Sequence, residues 1–479
     1  MKKTILLLTL LFLGISLQAQ TANDSIHALF IGNSYTAYNG MAYMVRKLAH
    51  SQDKKLVVRR LTRGGAYMRE LVKDERILKA LREEQWNFVV FQEQSRAPAA
   101  DPEKVEREVY TAAYSLDSLR REHQPNAKSY FYMTWGRNND EYDDVQRRLS
   151  VSYLEMARRQ EATCAPVGLA WQRVRHERPD LSLHNPDKSH PTPLGSYLTA
   201  CVFYCTFFNE PCESDWYDKL SKSDALYLQR IATEVVMGHG NRWKFQEKDV
   251  RRVSVLCYNV HSCIGLDKKR DYNRIARTII DAVPDVVALQ ELDSVTQRNN
   301  GVYALGELAR ITGLHPIFAP AINFSGGKYG IGVLCREVPL SHRIVPMPGR
   351  EEERTLLIVE FKEYVFCCTH QSLTAADQEA SVQLIAEALQ GIEKPIILAG
   401  DMNSTPKDKA QKKLRKLFTP LTPANVCTFP ADKPDRVLDY IYGYRKNDYK
   451  LTAEKTQVIY EPVASDHRPI QTLVRIESE

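Results

Sequence analysis

Residues 238–249 read GHGNRWKFQEKD, and the patterning of the chain differs on the two sides of that stretch. Before it, from His27 to about Met237, short apolar runs alternate with amphipathic stretches: HALFIG then 41–52, LVVRRL then 67–83, FVVFQ then 102–122, SYFYMTW then 143–160. That alternation predicts a parallel sheet covered by helices on both faces. After it come paired strand-like runs with fewer helices: VSVLCYN, VVALQE, GIGVLCR, LLIVEF, YVFCCTH, PIILAGD, VLDYIYG and PIQTLVRI. Such a strand-rich segment predicts two stacked sheets. The polar stretch between them reads as a linker. A chain of 479 residues is also too long for one ordinary core, so the expectation is two α/β domains, with no internal repeat and no low-complexity tract.

The first residues, MKKTILLLTLLFLGISLQAQ, pair two lysines with a short apolar run and a small-residue end at Ala19. This predicts a signal peptide over residues 1–19, a mature chain starting near Gln20 and export to the periplasm or beyond the cell. The run is short for a membrane span, no cysteine follows it to carry a lipid, and no later segment is long and apolar enough to cross a bilayer. Net charge is +6 overall, and residues 251–479 hold 30 Lys+Arg against 28 Asp+Glu. That balance does not compose a polyanion-binding surface. The one basic run, KKLRK at 412–416, reads as a solvated helix face. Ten cysteines permit disulfides in an exported chain, but Cys257, Cys335, Cys367 and Cys368 fall in apolar strand-like runs, where buried free thiols are expected. Cys/His spacing for zinc is absent.

In a parallel sheet, ligands sit beyond the carboxyl ends of the strands, where Ser34, Gly64, Gly65, Gln92 and Trp135 all fall. Ser34, in FIGNSYT, would be exposed at a strand-to-helix turn, where a serine either caps the helix or acts as a nucleophile. A nucleophilic serine needs a neutral imidazole to take its proton and a carboxylate to orient the ring. NPDKSHPTPLGSYLTA at 185–200 supplies His190 and Asp187, three residues apart. On these motifs residues 25–237 resemble the SGNH (GDSL-like) hydrolases. Gly32-Asn33-Ser34 stands where the family usually has Gly-Asp-Ser, and Asp187 and His190 match its Asp-x-x-His block. The resemblance implies a three-layer α/β/α fold, an acyl ester substrate, a catalytic Ser34–His190–Asp187 triad, and an oxyanion site from the Ser34 amide, the Gly65 amide and a side-chain amide. The family's asparagine is replaced by FQEQS, which leaves Gln92 or Gln94 as that third donor.

The second half places polar residues at the ends of apolar runs with unusual density. Asn259 ends VLCYN, Glu291 ends VVALQE, and His370 ends FCCTH. Asp401 and Asn403 lie in AGDMNSTP, Asp439 in LDYIY, and Asp466 and His467 in ASDHRP. Phosphoester hydrolysis calls for this inventory: hard oxygen ligands for a magnesium-like ion, a base for water, and donors for the phosphoryl oxygens. Asn, Gln-Glu, Gly-Asp-x-Asn and Ser-Asp-His in this order resemble the endonuclease/exonuclease/phosphatase superfamily, over about residues 250–476. The resemblance implies a four-layer α/β/β/α sandwich and a divalent cofactor, Mg2+ or Mn2+. It assigns the metal to Glu291 with Asn259 and Asp466, and catalysis to Asp401, His370, Asp439 and His467. Asn403 would hold a phosphoryl oxygen, and Met402 replaces the phenylalanine common there.

The expected substrate of the second half is a phosphoester. The near-neutral charge favours a small molecule or lipid over nucleic acid, which stays open. The whole chain then reads as an exported bifunctional hydrolase. The alternative is a secreted nuclease or sphingomyelinase-like phosphodiesterase whose first domain only binds ligand. Substrate identity, oligomeric state and disulfide pairing are left open by the sequence.

Overall fold

The computed structural model describes residues 25–244, 247, 249–445 and 448–478. The signal peptide expected over 1–19 lies outside the described residues. No helix among those described is long and apolar enough to cross a membrane.

The first half is built on a five-stranded sheet of β1 (Ile26–Gly32), β2 (Leu56–Thr62), β3 (Phe88–Phe91), β4 (Lys128–Tyr132) and β5 (Thr163–Ala165). Strand order is β2-β1-β3-β4-β5 and all pairings are parallel. β3 is buried along its length, as a strand covered on both faces must be. Helices Met41–His50, Thr111–His123, Tyr142–Arg159, Val167–Glu177, Pro193–Phe208 and Lys222–Met237 contribute to one apolar core with this sheet. Parallel strands place the ends of β1 and β3 at the same edge, so the turn after Gly32 and the loop after Phe91 are neighbours.

The second half stacks two six-stranded sheets. One is formed by β6 (Val250–Asn259), β7 (Val286–Ser294), β8 (His315–Phe324), β9 (Gly327–Cys335), β16 (Tyr449–Val458) and β17 (Ile470–Ser478), in the order β16-β17-β6-β7-β9-β8. The other contains β10 (Ser341–Met347), β11 (Arg354–Glu360), β12 (Val365–His370), β13 (Ile396–Asp401), β14 (Phe418–Pro420) and β15 (Asp439–Tyr444), in the order β10-β11-β12-β13-β15-β14. Period-two alternation decides which residue faces which layer. On β6, Val253, Val255 and Cys257 enter the core between the sheets, whereas Leu256 and Tyr258 pack with the helices Tyr272–Ala282 and Ala304–Thr312. Across the other sheet, Cys367 and Leu398 pack with the helices Ala375–Ala388 and Lys409–Leu417. The result is helix, sheet, sheet, helix. All ten cysteines are free, and Cys257, Cys335, Cys367 and Cys368 are buried.

The described part of the expected linker is packed. His239, Arg242 and Trp243 are buried, and Trp243 donates from Nε1 to Val235 O and accepts from the Cys164 amide. Arg242 reaches Val283 O and Asp285 in the second half. Arg147 likewise donates to Arg336 O at 2.9 Å, and Arg173 pairs with Asp281 at 3.3 Å. Polar letters concealed a buried aromatic and a buried cation.

Candidate active sites

At the end of β1, Asn33 caps the short helix Ser34–Ala37 by accepting from the Tyr35 amide. The cap leaves Ser34 on the first turn, where its own amide has no intrahelical acceptor. Its Oγ lies 2.9 Å from His190 Nε2. On the far side of the ring, Nδ1 lies 2.6 Å from Asp187 Oδ2. Asp187 Oδ1 also accepts from the amides of Ser189 and His190, both at 2.9 Å. Slight burial works against ionisation, but these hydrogen bonds outweigh it and hold the carboxyl at about 2. Thr192 then caps the helix Pro193–Phe208, which ends the loop.

Aromatic packing fixes the imidazole. Tyr38 stacks on His190 with centroids 4.3 Å apart, and Tyr35 meets it edge-on. Tyr35 stacks on Trp135, which stacks on Trp171, and both Tyr35 Oη and Trp135 Nε1 bond to Ser189. Trp135 is therefore a support for the loop and is itself buried.

Gly65 and Gln92, expected at the oxyanion site, both lie beside the serine turn. Gly65 sits at the corner of a turn closed by Ala66 N to Arg63 O, with φ of +68° that only glycine adopts without strain. Asn33 Nδ2 donates to Ala66 O at 3.0 Å and ties this turn to the serine. Gln92 is fully buried, and its Oε1 accepts from Asn33 N and Thr36 Oγ1, each at 2.9 Å, while its Nε2 turns to Glu93 O. Those two donors fix the amide's orientation, so Gln92 braces the turn from beneath. Gln94 Oε1 accepts from the Arg96 and Ala97 amides, and its Nε2 donates to Ser95 Oγ at 3.3 Å.

In the second half Asp401 and Asp439 are register partners on β13 and β15, and His370 on β12 pairs with Asp401. Adjacent strand ends thus gather three of the expected groups. His467 Nδ1 lies 2.8 Å from Asp439 Oδ2, which also accepts from Thr428 Oγ1 at 2.5 Å. The other nitrogen, Nε2, lies 3.7 Å from Asp401 Oδ2, and His370 Nε2 lies 3.6 Å from the same oxygen. Burial alone would lower His467, but the carboxylates of Asp439 and Asp401 overcome it and raise the imidazole to about 10. His370 is pushed down to about 4 by burial, helped by the Arg354 guanidinium. Burial also raises Asp401. The two histidines therefore differ in protonation near neutral pH.

Asn259 Nδ2 donates to Glu291 Oε1 at 2.9 Å and to Asp401 Oδ2 at 3.0 Å. Its Oδ1 accepts from His261 N at 3.1 Å. Asn259 is thus a bracket between the Glu291 and Asp401 carboxylates. Glu291 has φ of +60° where the β7–β9 register shifts between Leu289 and Leu292. The bulge aims its side chain out of the strand pattern. Asp466 enters through Ser465, whose Oγ lies 3.4 Å from Asp466 Oδ1 and 2.7 Å from Asn259 O. Asn403 Nδ2 donates to Gln371 O at 2.9 Å and lies 3.0 Å from His370 Nε2, so the amide is engaged within the protein.

Carboxylates around one neutral amide suit a hard divalent cation. Among the described residues no lysine or arginine pairs with Glu291 or Asp401. Asp401, Asp439 and His467 offer atoms within 4.8 Å of one another; Asp439 Oδ2 is engaged by His467 and Thr428, while its buried Oδ1 has no hydrogen-bond partner among the described residues. Sequence reasoning missed Arg354, Thr428 and Glu93. Arg354 Nη1 lies 3.1 Å from His370 Nδ1, and in the sequence it hides in the charged run EEER. Glu93 is buried and pushed up to about 7 by burial, and it accepts from the amides of Met68 and Gln94. Its position beside Gln92 in FQEQS was its one visible signal.

Residues 256–467 match the model of the Endonuclease/Exonuclease/phosphatase family and form a domain of that family, whose members hydrolyse phosphoester bonds. No curated protein matches the chain. Among solved structures, the chain is similar to an endonuclease/exonuclease/phosphatase from Bacteroides vulgatus, at 16% identity over 48% of this chain and 100% of that one, TM-score 0.41. It is also similar to a mannosyl-6-phosphatase from Bacteroides thetaiotaomicron, at 15% identity over 46% and 99%, TM-score 0.38. A third is a candidate SGNH hydrolase from Slackia heliotrinireducens, at 28% identity over 38% and 100%, TM-score 0.34.

Proposed function

We propose that the chain is an exported bifunctional hydrolase: an SGNH-like serine esterase, layered α/β/α, over residues 25–237, followed by a divalent-metal-dependent phosphoesterase. The observation that carries this reading is that one chain builds two separate proton relays, Ser34–His190–Asp187 and Asp401–His467–Asp439.

In the first relay Ser34 Oγ gives its proton to His190 Nε2 and attacks the acyl carbon. Asp187 stabilises the imidazolium through Nδ1. The same proton passes to the departing alkoxide, and water then releases the acyl group by the reverse use of the ring. Stabilisation of the oxyanion falls to the Ser34 and Gly65 amides. With the Gln92 amide drawn toward Glu93 O the site suits slow turnover, because one misplaced donor costs roughly 3 kcal/mol of barrier.

In the second site Glu291 and Asp466 would hold the cation, Mg2+ or Mn2+, which when bound polarises a phosphoryl oxygen. Asp401 Oδ2, with Asn259 holding it, faces the position for the attacking water and takes its proton. His467, kept charged by Asp439, neutralises phosphoryl oxygen charge. His370 stays neutral beside Arg354. The substrate is a phosphoester, with a small molecule or lipid favoured by the balanced charge of this half. The test is hydrolysis of bis(p-nitrophenyl) phosphate and p-nitrophenyl phosphate with Mg2+, with Mn2+ and after chelation. Turnover should require the cation, and Glu291→Gln should lose at least about a hundredfold. Turnover that survives both chelation and Glu291→Gln would remove the assignment.

A further inference from the structure

A cavity of about 290 Å³ that the Ser34 relay does not use is lined by the loops on either side of the serine turn. Gln94 on its wall lies two residues beyond Gln92, which accepts from Asn33 N. Tyr67 on the facing wall follows Ala66, which accepts from Asn33 Nδ2. Glu93 clamps the two loops together through the Met68 and Gln94 amides. The floor is apolar, with Ala97, Ala100, Val109 and Val145.

The polar rim is strongly one-sided: Arg96, Lys104 and Arg148 stand against one carboxylate, Glu108. That carboxylate is already bonded to Arg69 at 2.8 Å and Arg107 at 3.0 Å. Arg148 is held by Ala99 O at 2.5 Å and Asp144 at 3.0 Å, and its buried Nε has no partner among the described residues. Arg96 and Lys104 are both exposed, and Lys104 adds to the Arg107 hydrogen bond in lowering the Glu108 carboxyl. Glu108 and Val109 belong to a π-helix, Val105–Tyr110, a rare conformation that concentrates at functional sites. A small apolar cavity with more cations than carboxylates at its mouth matches a small ligand ending in an anion.

We propose that this cavity holds the anionic group, a carboxylate or a phosphate, of an ester whose acyl carbon is presented to Ser34. The substrate class rests on the esterase reading above; the anion site itself does not. The test compares the full chain with its Arg96→Ala/Lys104→Ala double variant, both side chains being exposed. The first readout is kcat/KM for p-nitrophenyl hemisuccinate divided by that for p-nitrophenyl acetate, and the ratio should fall at least about tenfold in the variant. The second is titration of metal-free protein with succinate, glycerol 3-phosphate and glycerol by calorimetry. The anions should bind, glycerol should not, the tighter anion separates carboxylate from phosphate, and the variant should weaken that binding at least about tenfold. An unchanged ratio, or anion binding that persists in the variant, would overturn the proposal. If the native chain hydrolyses no ester, the esterase reading fails, and binding decides the cavity: anion binding lost in the variant supports it, and no anion binding overturns it.

Discussion

Gln92 shows how one buried amide separates a catalytic from a bracing role. Its Oε1 serves two donors beneath the serine turn, so Gln92→Ala should strip an acceptor from Asn33 N and Thr36 Oγ1. The expected cost is about 1–3 kcal/mol of stability, read as a lower thermal midpoint. An oxyanion donor would behave oppositely, losing turnover at constant stability. In the second site Asp439 Oδ2 serves His467 and Thr428 together. Asp439→Ala should therefore lower phosphoester turnover by at least about a hundredfold, the usual scale for disabling a positioned acid or base, and leave acyl ester hydrolysis intact. Equal loss of both activities would point to unfolding in place of relay damage.

At the scale of elements, the segments that follow β2 and β3 are tied together by Glu93, which spans from the end of β3 to the start of the helix Met68–Leu71. Its carboxyl, raised by burial from 4.5 to about 7, binds a proton more tightly in the folded chain than in the unfolded one. The associated stabilisation is complete below about pH 4.5 and is lost as pH rises through about 7. It amounts to at most on the order of 3 kcal/mol. Glu93→Gln, neutral throughout, should flatten that part of the melting-temperature profile between pH 4.5 and 7.5, and identical slopes in both proteins would sink the idea. Strand ends were also where the sequence was most legible. Ser34, His370 and Asp401 each follow an apolar run, and parallel or register-paired strands must bring such ends together. What stayed hidden was orientation. The strand end locates Gln92 and Asn403 but does not say that each amide turns inward, because that depends on donors such as Asn33 N and acceptors such as Gln371 O, distant in sequence. Nor does VVALQE reveal that Glu291 sits on a bulge, which is a property of its pairing with β9.

For the whole molecule, the two halves meet through buried and half-buried arginines. Arg242 bonds Val283 O and Asp285, and Arg147 bonds Arg336 O. Trp243, which polar neighbours disguised in GHGNRWKFQEKD, is 1% exposed and packs into the first core. A contact of this kind makes a shared thermal transition natural, so each activity has to be read beside the midpoint of the same variant. The relays themselves share no residue. That independence is tested directly by a crossed assay of native chain, Ser34→Ala and Asp401→Asn against p-nitrophenyl acetate without metal and bis(p-nitrophenyl) phosphate with Mg2+. Ser34→Ala should abolish ester turnover and retain phosphoester turnover, and Asp401→Asn should do the reverse, with at least about a hundredfold loss in each affected activity. Loss of both activities in either variant at an unchanged thermal midpoint, or loss of neither, would contradict the two-site account.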